Sequence, residues 1–145
     1  MKGTKRTDKP LLCPSAQPDM EGSVLFGVVG GTAEEARVGY LVEPQPVTGE
    51  ILALAAPVAP TEVFRFAAPC AGKGCQHFDG TNCRLAGKIV NRLPAVVDLL
   101  PACGIRPNCR WFSQEGKAAC LRCPLVVTEW HNPTEELRLV ADPTQ

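Results

Sequence analysis

The stretch from Pro69 to Gly87 reads PCAGKGCQHFDGTNCRLAG and places three cysteines and a histidine within fourteen residues. A second stretch, CGIRPNCRWFSQEGKAACLRCP (103–124), holds four more cysteines. Together the two stretches contain seven of the eight cysteines of the chain within 54 residues. This region lacks long apolar strands of its own. We therefore expect metal ligation to organise its loops, because the free energy of metal binding then becomes free energy of folding.

The residues before the first cysteine stretch predict a scaffold. SVLFGVV (23–29) and RVGYLVE (37–43) are apolar and β-branched, which predicts two strands joined as a hairpin. Thr48 stands in the N-cap position of a short predicted helix, with an apolar run behind it. TEVFRFA (61–67) predicts a third strand that leads the chain directly to Cys70.

The residues after it predict helices and loops. Apolar residues recur at helical spacing over 83–100, and Pro94 is expected to kink this helix or to begin a second one. WFSQEGKAAC (111–120) predicts a loop that leads into a helical turn, and PLVVTEW (124–130) predicts a last strand. The sequence therefore predicts an α+β fold, with a small N-terminal β-rich unit followed by a helical, loop-rich cysteine segment.

The predicted boundaries follow from composition. A Pro-, Lys- and Asp-containing leader is expected to be disordered, and the C-terminus is polar, with 134–141 compatible with one or two helical turns. The chain has the length of one domain. The predicted parts are a disordered leader over 1–22, a single domain over 23–131 and a polar tail over 132–145. The domain divides into a β-rich scaffold over 23–68 and a metal-binding segment over 69–124.

Charge and hydropathy limit the function classes. The segment from Pro69 to Cys123 has eight Lys or Arg against three acidic residues, although the whole chain has zero net charge and a pI of about 6.7. A near-neutral pI argues against nucleic-acid binding. No apolar run approaches the roughly 18 residues of a membrane span. The basic N-terminus lacks the apolar core of a secretory signal, which predicts a cytoplasmic protein without membrane association.

Three interpretations of the cysteines compete. Eight cysteines could form disulfides, but disulfides belong to oxidising compartments and mainly stabilise small domains with poor cores. Zinc would be held tetrahedrally by two sets of four ligands. The first set is Cys70, Cys75, His77 and Cys83; the second is Cys103, Cys109, Cys120 and Cys123.

The third interpretation is an iron–sulfur cluster, most readily of the 4Fe–4S type, on Cys103, Cys109, Cys120 and Cys123. Cluster ligands commonly combine a C-x2-C pair with longer gaps, as this set does. A cluster core is wider than one ion, so gaps of five, ten and two residues suit it. The CLRCP segment (120–124) is similar to ferredoxin segments in which proline follows a ligand cysteine.

The first set leaves its fourth ligand open. Three thiolates are one fewer than a closed site needs, and the fourth is His77, Cys13 or no residue of this chain. The single residue between Cys75 and His77 leaves little chain to wrap one ion, which favours an open or externally ligated site. Cys13 lies far from both stretches in the leader, where we expect a free thiol. Asp79 and Glu115 have no accompanying nucleophile–base pair, so no catalytic residue is assigned.

Over Cys70 to Pro124 the chain resembles small bacterial cysteine-rich proteins that are presumed to bind metal. The resemblance implies no substrate. The sequence thus predicts an iron–sulfur protein that acts in electron transfer, in redox sensing or beside a partner enzyme, with a protein as its partner. The alternative is a zinc-stabilised interaction module without redox activity.

Overall fold

The computed structural model describes residues 11–31, 36–71, 75–126 and 135–142. It is 37% helical and 27% strand, and it combines a four-stranded antiparallel sheet with several short helices. The predicted α+β class is therefore confirmed. No helix in these ranges is both long and apolar enough to cross a membrane.

The sheet has the strand order β1-β4-β2-β3, and every neighbouring pair is antiparallel. The predicted hairpin is present as β2 and β3, which pair Val28 with Gly39. The third predicted strand is present as β4, although 60–63 form a short helix before it. The strands are β1 (Leu12–Ala16), β2 (Val24–Gly31), β3 (Ala36–Pro46) and β4 (Phe64–Pro69).

Strand β1 lies in the segment that the sequence assigned to a disordered leader. Cys13 pairs with Ala68 of β4, and the Cys70 amide donates to the Leu11 carbonyl at 2.8 Å. Pro14 and Ala16 are buried. Residues 11–22 therefore differ from the prediction, because the short apolar LLCPSA segment completes the sheet on the free edge of β4. The remainder of the predicted leader, 1–10, lies outside the described residues.

Six short helices accompany the sheet among the described residues. Thr48 caps α1 as predicted, since its hydroxyl accepts from the Ile51 amide at 3.2 Å. Single 3-10 turns cover Arg106–Asn108 and Cys123–Leu125. The helices are α1 (Gly49–Ala53), α2 (Pro60–Val63), α3 (Arg84–Arg92), α4 (Arg110–Glu115), α5 (Lys117–Arg122) and α6 (Glu135–Ala141).

The second half is more helical than its sequence predicted. The expected loop over 111–120 forms α4 and α5, which are separated by Gly116 at a φ of 72°, a conformation that favours glycine. Helix α3 ends at Arg92, two residues before Pro94. The predicted strand over 124–130 begins as a 3-10 turn, and 127–130 lie outside the described residues.

The main core lies between the sheet and the cysteine-bearing half. Phe26 of β2 belongs to one buried cluster with Ile89 of α3 and Trp111 of α4. Val140 of α6 joins the same cluster, so part of the predicted polar tail packs as a helix on the core. This packing fixes α3, α4 and α5, the helices that position several of the cysteines, against the sheet.

Candidate metal centres

Four cysteines of the second stretch line one recess. Cys103, Cys109, Cys120 and Cys123 surround it together with aromatic and apolar side chains. The cavity between the lining atoms has a volume of about 20 Å³, and the recess opens to solvent. The structure thus brings together the full set that the sequence proposed as cluster ligands. Its remaining lining residues are Pro14, Phe26, Tyr40, Pro101, Ile105, Arg106, Trp111, Phe112 and Ala119.

Short local structures direct these thiols toward the recess. Cys109 is the N-cap residue of α4, Cys120 belongs to α5, and Cys123 closes α5 and opens the next 3-10 turn. Cys103 lies on the preceding loop, which is fixed to β3 because the Gly104 amide donates to the Leu41 carbonyl at 3.0 Å. A Cβ on Gly104 would lie 2.7 Å from Pro44 Cδ, so this close approach requires glycine.

Backbone amides face the sulfur atoms of this set. Burial raises the pKa of Cys109 to about 12, and the amides of Phe112 and Trp111 oppose that rise. These N–H···S contacts fall short of a regular side-chain cap hydrogen bond. Burial also raises the pKa of Cys103 and Cys120; the Ile105 amide opposes the first rise, and the Arg106 guanidinium opposes the second. Donors to sulfur and nearby cations favour the thiolate form, which is the form that binds metal.

Arg65 of β4 is fully buried beside this recess. Its Nε and Nη2 donate to the Pro14 carbonyl at 3.0 and 2.6 Å, and its Nη1 donates to the carbonyls of Val126 and Cys123 at 2.7 and 3.3 Å. Its Nη2 also lies 3.6 Å from Cys123 Sγ. None of these partners is a carboxylate.

Aromatic rings enclose the same guanidinium. Its Cζ lies 5.1 Å from the Phe26 ring centroid and 5.7 Å from that of Trp111. Burial acts to lower the pKa of Arg65, but Cys123 and Tyr40 outweigh it, so the pKa is raised and the cation persists. Arg65 was not among the residues that the sequence pattern predicted for the site. The signal was available, since Arg65 is the one charged residue in the buried strand FRFAAP.

The other four cysteines line a second recess. Cys70, Cys75 and Cys83 line it together, and Cys13 of β1 lines it with them. Burial raises the pKa of Cys13 to about 11, and the negative charges that these three residues carry as thiolates add to the rise. Cys13 is a free thiol, as expected, but it is not remote from the first set, because β1 pairs with the end of β4 and brings Cys13 to the same recess as Cys70.

Polar groups of the loop itself and of α4 fix the loop between Cys75 and Cys83. Asp79 Oδ1 accepts from the amides of Thr81 and Asn82 at 2.9 and 2.7 Å. Gln114 of α4 holds the Cys83 backbone from both sides, accepting from its amide at 2.8 Å and donating to its carbonyl at 2.9 Å. Cys83 is the N-cap residue of α3. Burial raises the pKa of its thiol, and the amides of Ala86 and Leu85 oppose the rise.

His77 lines the second recess in a different manner. Its backbone amide donates to Cys75 Sγ at 3.4 Å, while its buried Nδ1 has no hydrogen-bond partner. Burial lowers the pKa of the ring, and the cations Lys88 and Arg84 lower it further. His77 therefore contributes a donor to a cysteine sulfur through its main chain.

Hydrogen-bonding atoms without a partner concentrate around the two recesses. Six buried side-chain atoms of the described residues have no hydrogen-bond partner of regular geometry, and five of them belong to residues that line one or both recesses. Buried polar atoms without a partner call for an explanation such as an ordered water or a bound ion. A group rich in acceptors, such as the sulfide of a cluster, would supply one. The five are Tyr40 Oη, His77 Nδ1, Arg106 Nε, Arg110 Nε and Trp111 Nε1.

Neither cysteine set forms a site for a single ion in the described part of the chain. Among the described residues, no three His, Cys, Asp or Glu side chains converge closely enough to hold one ion. Comparison with family models, with curated proteins and with solved structures found no match to the chain.

Proposed function

We propose that the protein carries electrons through a 4Fe–4S cluster held by Cys103, Cys109, Cys120 and Cys123, and that it exchanges those electrons with a partner protein. The observation that carries this proposal is the complete burial of Arg65 beside Cys123, with no carboxylate among its hydrogen-bond partners in the described part of the chain.

A buried cation needs an anion nearby. Transfer of an unpaired ionised group into a protein interior is costly, and hydrogen bonds to neutral carbonyls offset only part of that cost. Arg65 points its Nη2 at Cys123 Sγ, and its described partners include no carboxylate. A cluster ligated by four thiolates carries net negative charge. Arg65, whose Nη2 lies 3.6 Å from Cys123 Sγ, would stabilise that charge.

The arrangement of the thiols favours a cluster over a single zinc ion. Structural zinc holds four sulfurs at about 2.3 Å from one centre. Here no three of the described His, Cys, Asp or Glu side chains converge closely enough to hold one ion. A four-iron core is wider and holds its thiolates farther apart, so a set of thiols that does not converge on one ion suits it better.

The surroundings suit a redox centre. Hydrogen bonds to the sulfurs, net charge and solvent exposure set the potential of a cluster. This recess supplies hydrogen bonds through the amides near Cys103 and Cys109, and it supplies positive charge through Arg65 and Arg106. Aromatic side chains form part of its wall. A bound cluster would supply reversible uptake of one electron.

The rim supports exchange with a protein partner. Cys103 and Cys120 are only partly buried. Leu99 is 74% exposed and Leu100 42%, directly before Pro101 of the recess wall. Exposed leucines beside a half-buried metal centre offer an apolar surface on which a partner can dock at short distance from the cluster.

The test is anaerobic purification followed by metal and sulfide analysis and reduction with dithionite. We expect a brown protein whose visible absorbance bleaches with dithionite and returns on reoxidation. Cys123→Ser should reduce the bound iron and sulfide together. A colourless protein that contains zinc and no iron would contradict the proposal.

A further inference from the structure

Cys13 is the only cysteine outside the two cysteine stretches, yet it lies in the recess of the first set. The pairing of Cys13 with Ala68, and the hydrogen bond from the Cys70 amide to Leu11, put Cys13 and Cys70 at the same end of two paired strands. The position of Cys13 is therefore set by the sheet.

We propose that Cys13, Cys70, Cys75 and Cys83 bind a second 4Fe–4S cluster, with Cys13 as the fourth ligand in place of His77. This inference rests on the proposed function for its chemistry, since it assigns the same kind of group to a second set of four thiols. It divides all eight cysteines into two complete sets.

The donors around the second recess match those around the first. An N-cap cysteine occurs in each, Cys83 in one and Cys109 in the other, with the first amides of a helix facing its sulfur. The Ser15 amide faces Cys13, and the His77 amide donates to Cys75 Sγ at 3.4 Å. His77 thus already serves the site through its backbone, and its ring is not needed to complete four ligands.

The sequence carries a matching signal. Cys13 is followed by Pro14 in LLCP, and Cys123 is followed by Pro124 in LRCP. Both prolines are buried. A proline after the cysteine fixes the local backbone and removes one amide, so both thiols leave the chain from a rigid Cys-Pro step.

The two recesses are direct neighbours. Trp111 lines both, and a backbone bridge joins Leu12, next to Cys13, to Cys109 of the other set. Arg65 connects the same two regions, since it donates to the Pro14 carbonyl and faces Cys123 Sγ. Two clusters at these places would share one indole and one guanidinium. Their unpaired spins would interact when both are reduced.

The experiment reconstitutes the full chain anaerobically with ferrous iron and sulfide and counts iron and sulfide per chain. We expect about eight iron atoms in the wild type, since each of two clusters holds about four. Cys13→Ser should lose about half of the iron, and His77→Ala should lose none. Ser15→Ala is the matched control, because it lies on the same strand and in the same recess and keeps the amide that faces Cys13.

The outcomes separate this inference from the proposed function. One outcome contradicts the second cluster alone: the wild type holds about four iron atoms, Cys123→Ser loses iron and Cys13→Ser loses none. Loss in Cys13→Ser with none in Cys123→Ser contradicts the proposed cluster alone. Full iron content in Cys13→Ser together with iron loss in His77→Ala would show that histidine is the ligand and would overturn the assignment. One zinc ion beside one cluster would also overturn it.

A measurement on the wild type keeps the inference testable even when Cys13→Ser fails to fold. We expect the electron paramagnetic resonance spectrum of the fully reduced protein to be broadened and split by coupling between two clusters. The simple spectrum of one isolated cluster in the fully reduced wild type would overturn the inference.

Discussion

Replacement of Arg65 by methionine should lower the reduction potential of the cluster on Cys103, Cys109, Cys120 and Cys123. A positive charge beside a redox centre favours the more negative, reduced state, and the substitution removes that charge while keeping a long apolar side chain. Arg65→Lys is the matched control, because lysine keeps the charge and loses the planar hydrogen-bonding fork.

The structure sets the expected size of this shift. Arg65 Nη2 lies 3.6 Å from Cys123 Sγ. At an effective dielectric constant of about 20, Coulomb's law gives roughly 4 to 5 kcal/mol for two unit charges at that separation. The guanidinium spreads its charge and a cluster spreads the added electron, so we expect about half, or about 2 kcal/mol. For a one-electron couple this corresponds to a decrease of about 90 mV.

Stability should respond differently from potential. Both substitutions remove hydrogen-bond donors from the carbonyls of Pro14, Cys123 and Val126. Each acceptor left unpaired should lower the free energy of unfolding by about 1 kcal/mol. Methionine removes the Arg65 hydrogen bonds to all three carbonyls, although the Cys123 carbonyl still accepts from the Val126 amide at 2.9 Å, and lysine retains one or two of the bonds. Arg65→Lys should therefore be the more stable variant and should keep a potential close to that of the wild type.

The assay is an anaerobic redox titration followed by visible absorbance, with urea unfolding of the same samples. Equal potentials in the wild type and in Arg65→Met would refute the reasoning, because the guanidinium would then exert no field on the cluster. Equal decreases in both variants would show that hydrogen bonding, rather than charge, sets the potential.

Three further predictions concern the scaffold and the thiols. Gly104→Ala should destabilise the protein by about 1–3 kcal/mol and lower its iron content, because the added Cβ meets the β3 backbone at Val42; Gly49→Ala, with open space around it, should unfold in urea like the wild type. Without metal, the free energy of unfolding should fall as the pH rises from about 9 to about 12, because burial raises the pKa of Cys13 and Cys109 and the unfolded chain loses those protons first. A free energy of urea unfolding that does not change over this pH range would show that these thiols are not buried. Chelation of the metal should leave amide protection in the β2–β3 hairpin, which carries no cysteine, above that in α4 and α5; equal loss by hydrogen exchange would contradict a separate scaffold.

Local patterns predicted the parts of the fold that local forces determine. The β2–β3 hairpin is visible as two apolar β-branched runs, and Thr48 caps α1 because its hydroxyl reaches an amide three residues away. The expected loop over 111–120 forms two helices instead, since Gly116 breaks the helical run without preventing a helix on either side.

Long-range contacts determined the features that the sequence analysis missed. Cys13 lies 57 residues before Cys70, so only the pairing of β1 with β4 could bring it to the first set. Arg65 donates to carbonyls 51 to 61 residues away along the chain. The spacing of the cysteines identified the second set, whose four members meet in one recess. Their role as cluster ligands stays a prediction.

The most direct test of the central claim is Mössbauer spectroscopy of the anaerobically purified full chain, with Cys123→Ser measured beside it. The account predicts that nearly all of the iron gives the signal of a 4Fe–4S cluster and that Cys123→Ser loses part of that signal. Iron in a single-ion site, or zinc in place of iron at Cys103, Cys109, Cys120 and Cys123, would contradict it.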